Sequence, residues 1–296
     1  MVSLHPWRPV ESSIYTPSAW PCLDRAHRKR YLVTMENQHI LLLGATGASG
    51  LAFIDAALEK TQMPKLTLYV RPGSKAKLPA SATNNPNPAM RIVQGQLDDV
   101  RALREALSGS STDPAFPPVT TVVSFLGAYL SFKAVFTRDQ SHPIADALQS
   151  AVLPAVKTYN ISRILVLSTP TAFCHASESK NMPWKWWFYT WLPRLLAPQG
   201  NAEMKGIAEA VVKAGTGTGS GDGDQDQDHA RTRLDWTVFR VPHLTDGDPH
   251  AKVIAGNLDQ AFAGSTELSR GSLVRWVLEE IEKKNWVRQA PLLANP

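Results

Sequence analysis

Apolar residues along this chain fall into two alternating spacings. Short continuous runs have the length and unbroken hydrophobicity of strands covered on both faces: Ile40–Leu43, Leu66–Val70, Arg91–Val93, Thr120–Phe125, Ile164–Leu167 and Trp236–Arg240. Between them, Leu51–Lys60, Val100–Leu107, Ile144–Tyr159, Ala202–Ala214 and Ser272–Lys283 carry apolar positions at helical spacing. Pro154 predicts a kink or break in the third of these, because it has no N–H to continue the helix ladder. Strands alternating with helices predict an α/β protein with a parallel sheet, doubly wound by right-handed crossovers. Two stretches have no period. Asn84–Pro88 reads as a loop, and Gly215–Asp228, glycines first and acids after, opens a surface insertion over 215–233 with no apolar residue to bury.

Composition changes the picture mainly at the ends. Residues 1–34 hold four prolines, scattered Trp and the basic run RAHRKR, without periodicity. They read as a disordered tail or gene-model extension; as a targeting arm they fit only loosely, since such arms are poor in acids. The ordered pattern begins at Met35, so residues 35–296 are expected to form a single domain with a small C-terminal substrate lobe. Five of the chain's 31 Lys and Arg, against two of its 26 Asp and Glu, lie in the tail. The body is therefore near neutral and is not expected to bind nucleic acid. Two cysteines, Cys22 and Cys174, exclude a disulfide scaffold and a Cys-rich zinc site. The acids of the insertion have no scaffold to fix them, so no metal site is expected. The longest apolar stretch near a span, Trp186–Ala197, is short and interrupted by Pro193 and Arg194, and no signal-type apolar region opens the chain. A cytoplasmic location and no transmembrane segment are the expectation.

The strongest chemical signal is Gly44-Ala-Thr-Gly47-Ala-Ser-Gly50, which closes a predicted strand and opens a predicted helix. Glycine permits a tight turn and close backbone approach, and a helix N-terminus offers unpaired amides and a positive dipole end to phosphate. In that context the motif is a dinucleotide fingerprint of the Rossmann type. NAD sites place an acid at the end of the second strand to accept from the ribose hydroxyls. Here the strand ends in Arg71, with Lys75 one turn on. A guanidinium suits a 2′-phosphate, so NADP(H) is favoured over NAD(H).

Around that motif, the strand end VRPGSK, the segment Gly95-Gln-Leu97-Asp98-Asp99, the strand end Ser124-Phe-Leu-Gly127, Leu167-Ser168-Thr169-Pro170 and Leu234–Pro242 occur in order. The chain resembles an atypical short-chain dehydrogenase/reductase of the NmrA-like, NAD(P)-binding type. It is especially similar to fungal secondary-metabolite oxidoreductases of the averufin-oxidase-like group. The resemblance covers roughly Asn37 to Val287. It implies that Gly44, Thr46, Gly47, Ala48, Ser49 and Gly50 cradle a pyrophosphate and that Arg71 and Lys75 hold the 2′-phosphate. It places Leu97 and Asp98 by the adenine, and Phe125, Leu126 and Gly127 along the nicotinamide ribose. Ser168 and Thr169 would face nicotinamide and substrate, with Val241, Pro242 and His243 closing the pocket.

The chain departs from the family at the catalytic pair. Where Tyr-x-x-x-Lys is the usual proton-transfer motif, the segment reads Asn201-Ala-Glu-Met-Lys205. An amide hydrogen-bonds but does not donate a proton at neutral pH. Lys205 is kept as the candidate ribose contact, with Ser168, Thr169 and Tyr129 orienting a substrate oxygen. His175, His243 and Tyr189 are further candidate acids, while Glu203 and Glu209 read as helix-surface or ion-paired groups. The segment Met182–Trp191 (MPWKWWFYTW) has three readings: a flat substrate wall, core packing of the small lobe, or an interfacial patch. The favoured function is an NADP-dependent oxidoreductase acting on an apolar, aromatic or polyketide-like small molecule. The alternatives are a non-catalytic NADP(H) sensor of the NmrA type and an isomerase or cyclase using the same pocket.

Overall fold

A computed structural model describes residues 35–83, 87–109, 116–127, 142–172, 174, 178, 182–216, 234–259 and 261–296. Tyr129 and His175, the tail 1–34 and the insertion beyond residue 216 lie outside them. The chain divides into units Met1–Leu32 and Val33–Pro296, and every described residue belongs to the second.

In chain order the elements are β1 (His39–Leu43), α1 (Ala48–Leu58), β2 (Lys65–Val70), α2 (Ala80–Thr83), β3 (Met90–Gln94), α3 (Val100–Leu107), β4 (Thr121–Ser124), α4 (Pro143–Ala147) and α5 (Leu153–Thr158). Then come β5 (Arg163–Ser168), α6 (Trp184–Leu196), α7 (Pro198–Thr216), β6 (Asp235–Arg240), β7 (His243–Thr245), β8 (Ile254–Gly256), β9 (Glu267–Ser269), α8 (Arg270–Lys283) and β10 (Leu292–Ala294). The main sheet runs β3-β2-β1-β4-β5-β6-β10-β8, parallel except for the β10–β8 pair, and β7 pairs with β9 in a small parallel sheet. This is the expected α/β, doubly wound Rossmann-type architecture. Every residue of β1 is buried. Fully burying an aliphatic side chain contributes about 1.5–3 kcal/mol, and β1 places three leucines and an isoleucine at the sheet's centre. Leu43 lies level with Tyr69 on one side and Ser124 on the other, which aligns the carboxyl ends of the strands where their order reverses.

Three departures from the pattern have physical causes. The helical stretch over Ile144–Tyr159 is divided into α4, a π-turn at Leu148–Val152, and α5. Pro154 follows directly on the π-turn, whose wider winding accommodates the ring and the missing N–H within the helical run. Gly215, read as the start of the insertion, lies inside α7 and is buried. A Cβ there would fall 2.0 Å from the Trp236 ring, so this glycine lets the helix press on an indole. The three-residue strands β7 to β10 are too short to show a period; β10 continues the sheet beyond β6.

Two polar arrangements seal the sheet at its amino end. His39, wholly buried, donates through Nδ1 to the carbonyl of Pro117. That leaves Nε2 to accept from the Thr67 hydroxyl at 2.7 Å, and Thr67 in turn accepts from Arg91 Nε at 2.7 Å. Burial pushes the imidazole down to about 4, with the nearby Arg91 and Lys65 charges adding and the Pro117 bond opposing. Arg163, at the start of β5, meets Glu280 of α8 at 2.8 Å, and that carboxylate also accepts from the amides of Asn285 and Trp286.

Candidate functional site

The turn after β1 is built by glycine. Gly44 has φ +80, a left-handed conformation that a side chain resists, and a Cβ there would stand 3.0 Å from the carbonyl carbon of Phe125 and 3.1 Å from the amide of Leu126. Gly47 donates its amide to Gly44 O at 3.0 Å and caps α1 without a side-chain bond. A Cβ at Gly50 would fall 2.2 Å from Gly44 O. The helix therefore begins pressed against the turn, and its first-turn amides at Ala48, Ser49 and Gly50 point out of the N-terminus as intrahelical donors without acceptors. Ala48 is exposed, and Thr46 and Ser49 are half-buried. Backbone donors at the mouth of a turn that a Cβ would fill suit a diphosphate. Phe125 contributes differently from the expectation. Its ring packs into the core against Phe53 and Phe239, at centroid distances of 5.6 and 5.7 Å, and its backbone is what borders the turn.

At the tip of β2, the strand leaves through Arg71-Pro72-Gly73-Ser74. Ser74 donates to Arg71 O at 3.0 Å and Gly73 has φ +78, the signature of a type II turn with proline at its first central position. The turn leaves Arg71 exposed, one residue beyond the level of Gly44 on the neighbouring strand. Lys75 lines a surface recess of about 680 Å³ with Gly73, Ala76, Leu78, Ala80 and Thr83. After β3, Gly95 passes so close to β2 that a Cβ would touch the Tyr69 hydroxyl at 2.4 Å. That hydroxyl donates to Gln96 O at 2.7 Å, and burial pushes the phenol well up, with the Asp99 and Asp98 charges adding. The segment holds Leu97 half-buried and Asp98 exposed, and Asp99 caps α3 by accepting from Ala102 N at 3.0 Å.

On the other side of β1 the placements diverge. Ser168 is wholly buried and donates its hydroxyl to Met204 O at 2.8 Å. It ties β5 to α7 and has no hydroxyl hydrogen left for a substrate, which corrects the expected substrate-facing role. Thr169 is half-buried, its hydroxyl 2.8 Å from that of Thr171. Met204 comes within van der Waals reach of Gly127 and Leu167 does the same, 3.7 Å each from the position of a Cβ on that glycine. Lys205 is exposed and pairs with Glu209 at 3.4 Å on the surface of α7. Glu203, expected on the helix surface, is buried and accepts from Ala145 N at 2.5 Å; desolvation raises its pKa against the pull of the Ala145 and Ile144 amides and of His142. Pro242 is buried and His243 exposed, its amide donating to Thr266 O at 3.2 Å. Tyr189 is half-buried, and burial raises its phenol pKa against a backbone hydrogen bond from His243.

Sequence reasoning missed the group that holds this side together. Arg240, at the end of β6, is inaccessible to solvent and meets Glu178 through two nitrogens, at 2.5 and 2.9 Å. It also donates to the carbonyls of Ala172 at 3.2 Å and Ala290 at 2.9 Å, while Glu178 accepts from Leu258 N at 3.2 Å. A cation ending an apolar strand demands a buried acid, so half of this was legible; nothing in the spacing pointed to Glu178.

No curated protein matches the sequence. Solved structures with the same fold include a wide-type short-chain dehydrogenase/reductase from Veillonella parvula in complex with NADP, 16% identical, with a TM-score of 0.60 over 88% of this chain and 95% of that one. ChuY, an anaerobillin reductase from Escherichia coli, is 16% identical, with a TM-score of 0.57 over 88% and 98%. A Rossmann-fold NAD(P)-binding protein from Shigella flexneri is 19% identical, with a TM-score of 0.54 over 89% and 95%. The profile of the NAD(P)H-binding family matches residues 44–284, from the first glycine of the turn through the closing helix, and the chain belongs to that family.

Proposed function

We propose that this protein is a cytoplasmic NADP(H)-dependent oxidoreductase acting on an apolar small molecule, aromatic or polyketide-derived, in the manner of NmrA-like, averufin-oxidase-like enzymes of fungal secondary metabolism. The observation that carries the cofactor preference is Arg71, exposed on a glycine-proline turn one residue past the level of Gly44, where an NAD site would set an acid. When bound, the nicotinamide supplies or takes up a hydride. The chain's own part is to hold and orient. The amides of Ala48, Ser49 and Gly50 take the diphosphate, in the cradle that Gly44, Thr46 and Gly47 shape, the Arg71 guanidinium takes the 2′-phosphate, and Leu97 and Asp98 flank the adenine. The Leu126–Gly127 backbone, Met204, Pro242 and His243 border the nicotinamide end. The Thr169 hydroxyl, held by Thr171, orients the substrate oxygen in place of Ser168. The apolar neighbours of Gly127 support an apolar substrate.

A second reading, an NADP(H)-binding regulator, is favoured by Asn201 at the tyrosine position and by a Lys205 engaged with Glu209. NADPH titration separates the claims. Enhanced, blue-shifted cofactor fluorescence is expected, and no change with either NADPH or NADH would defeat the nucleotide reading. Steady NADPH consumption with quinones or polycyclic ketones is expected of the enzyme; binding of both redox forms without turnover belongs to the regulator.

A further inference from the structure

The aromatic segment divides across one helix. On α6, Trp186 is 1% exposed and packs edge-on against Tyr189 and Phe262 at 5.4 and 5.6 Å, beside Leu258 and Leu292. The other side is bare: Trp184 is 84% exposed, Trp187 59%, Phe188 57% and Trp191 44%. Their spacing, i, i+3, i+4 and i+7, makes a single stripe, which at roughly 100° per residue spans an arc of about 100°. The helix is thus already seated by its opposite face, and the stripe is apolar surface left over. Contiguous patches of that kind on a folded surface mark interaction sites.

Charge decides among occupants. The thirteen residues of α6 contain no Asp or Glu, and their charges are Lys185 and Arg194. On the same helical spacing, position 185 falls to one flank of the stripe and position 194 to the other. A second copy docking through this face would set cationic helix against cationic helix without an acid on either. An anionic bilayer supplies what the face lacks. Indole rings favour the headgroup boundary, where the ring is apolar and its N–H still finds an acceptor. Lysine and arginine stems cover apolar surface while their heads reach lipid phosphate and carboxylate. At 1.5 Å per residue the helix is about 20 Å long, too short to span a bilayer and suited to lying in its interface. We propose that the exposed aromatic stripe of α6 docks the protein on an anionic lipid surface. This does not rest on the nucleotide reading.

The test is co-sedimentation of the full chain with phosphatidylcholine vesicles, with and without about 30% phosphatidylserine, together with quenching of Trp emission by lipids brominated near the headgroup. Binding to the phosphatidylserine vesicles, weakened by salt, is expected. The variant Trp184→Ser/Trp187→Ser/Trp191→Ser should lose partitioning by about tenfold or more while its thermal melt and its NADPH titration match the parent. Lys185→Glu should weaken binding to anionic vesicles alone. The proposal is overturned if the parent binds neither vesicle, if the triple variant binds as the parent does, or if the parent forms a concentration-dependent dimer that the triple variant abolishes. An altered NADPH titration in the parent bears on the nucleotide reading only.

Discussion

Around β1 to β4 the sheet's carboxyl end is closed by backbone. Gly44 and Gly50 let strand, turn and helix come so near one another that a methyl group would collide with carbonyl or amide atoms. Around β5 and β6 the sheet is closed by buried charge, with Arg163–Glu280 at the amino end and Arg240–Glu178 at the carboxyl end, each pair nearly or wholly removed from solvent. The first kind of closure costs little desolvation and leaves backbone amides free for a ligand. The second turns its charged groups onto the protein itself, so it fixes loops rather than meeting a ligand. The glycine side is where a nucleotide finds donors, and the charged side ties the segments of Ala172, Leu258 and Ala290 to the end of β6.

The largest effect should come from the charged side. Arg240→Met leaves Glu178 buried and unpaired, and removing one partner of such a pair costs about 3–5 kcal/mol. The double substitution with Glu178→Met should recover most of that in urea denaturation; no recovery would mean that the pair's role is not electrostatic. Next comes an acid-sensitive contribution from the amino end. The His39 imidazole titrates near 4 when folded against an ordinary 6.5. The unfolded chain takes up a proton that the folded one refuses, so stability falls as pH drops from 6.5 toward 4, by about 3 kcal/mol at roughly 1.4 kcal/mol per pH unit. Thermal melts across that range should show the loss, and His39→Gln should flatten it. On the glycine side, Arg71→Ala should weaken NADPH by about ten- to a hundredfold, as expected for losing a charge-assisted phosphate contact of about 1.5–3 kcal/mol, and should leave NADH nearly unchanged. Equal weakening of both in fluorescence titrations would place the guanidinium elsewhere than on the 2′-phosphate. Smallest is Asp99→Ala, which removes the cap on α3 and should cost about 1 kcal/mol in the same denaturation assay, without altering the Tyr69–Gln96 hydrogen bond.

The two sides also differ in legibility. The glycine turn is a local object: seven consecutive residues between a strand and a helix specify it, and the strand carrying Arg71 is the next one in the chain. The ion pairs join residues 62 and 117 positions apart, and no period links them. The bonding of Ser168 is hidden from the sequence for a similar reason. Its place at the end of β5 comes from the strand pattern, but which way its hydroxyl bonds depends on where α7 lays the Met204 carbonyl. Glu203 on the same helix turned inward to cap α4, a contact that helical spacing alone does not disclose.

What the amino-acid sequence determined by itself is the alternation of buried strands with amphipathic helices, the parallel sheet that this alternation builds, and the glycine turn at its switch point. These rest on local periodicity and on backbone conformations open to few residues. Tertiary structure alone decided that β10 extends the sheet beyond β6, that Gly215 makes room for an indole, and that one tryptophan of α6 enters the interior while its neighbours face out. Those outcomes depend on which surfaces meet after the chain has turned back on itself, and burial, unlike period, is a property of the meeting rather than of either surface.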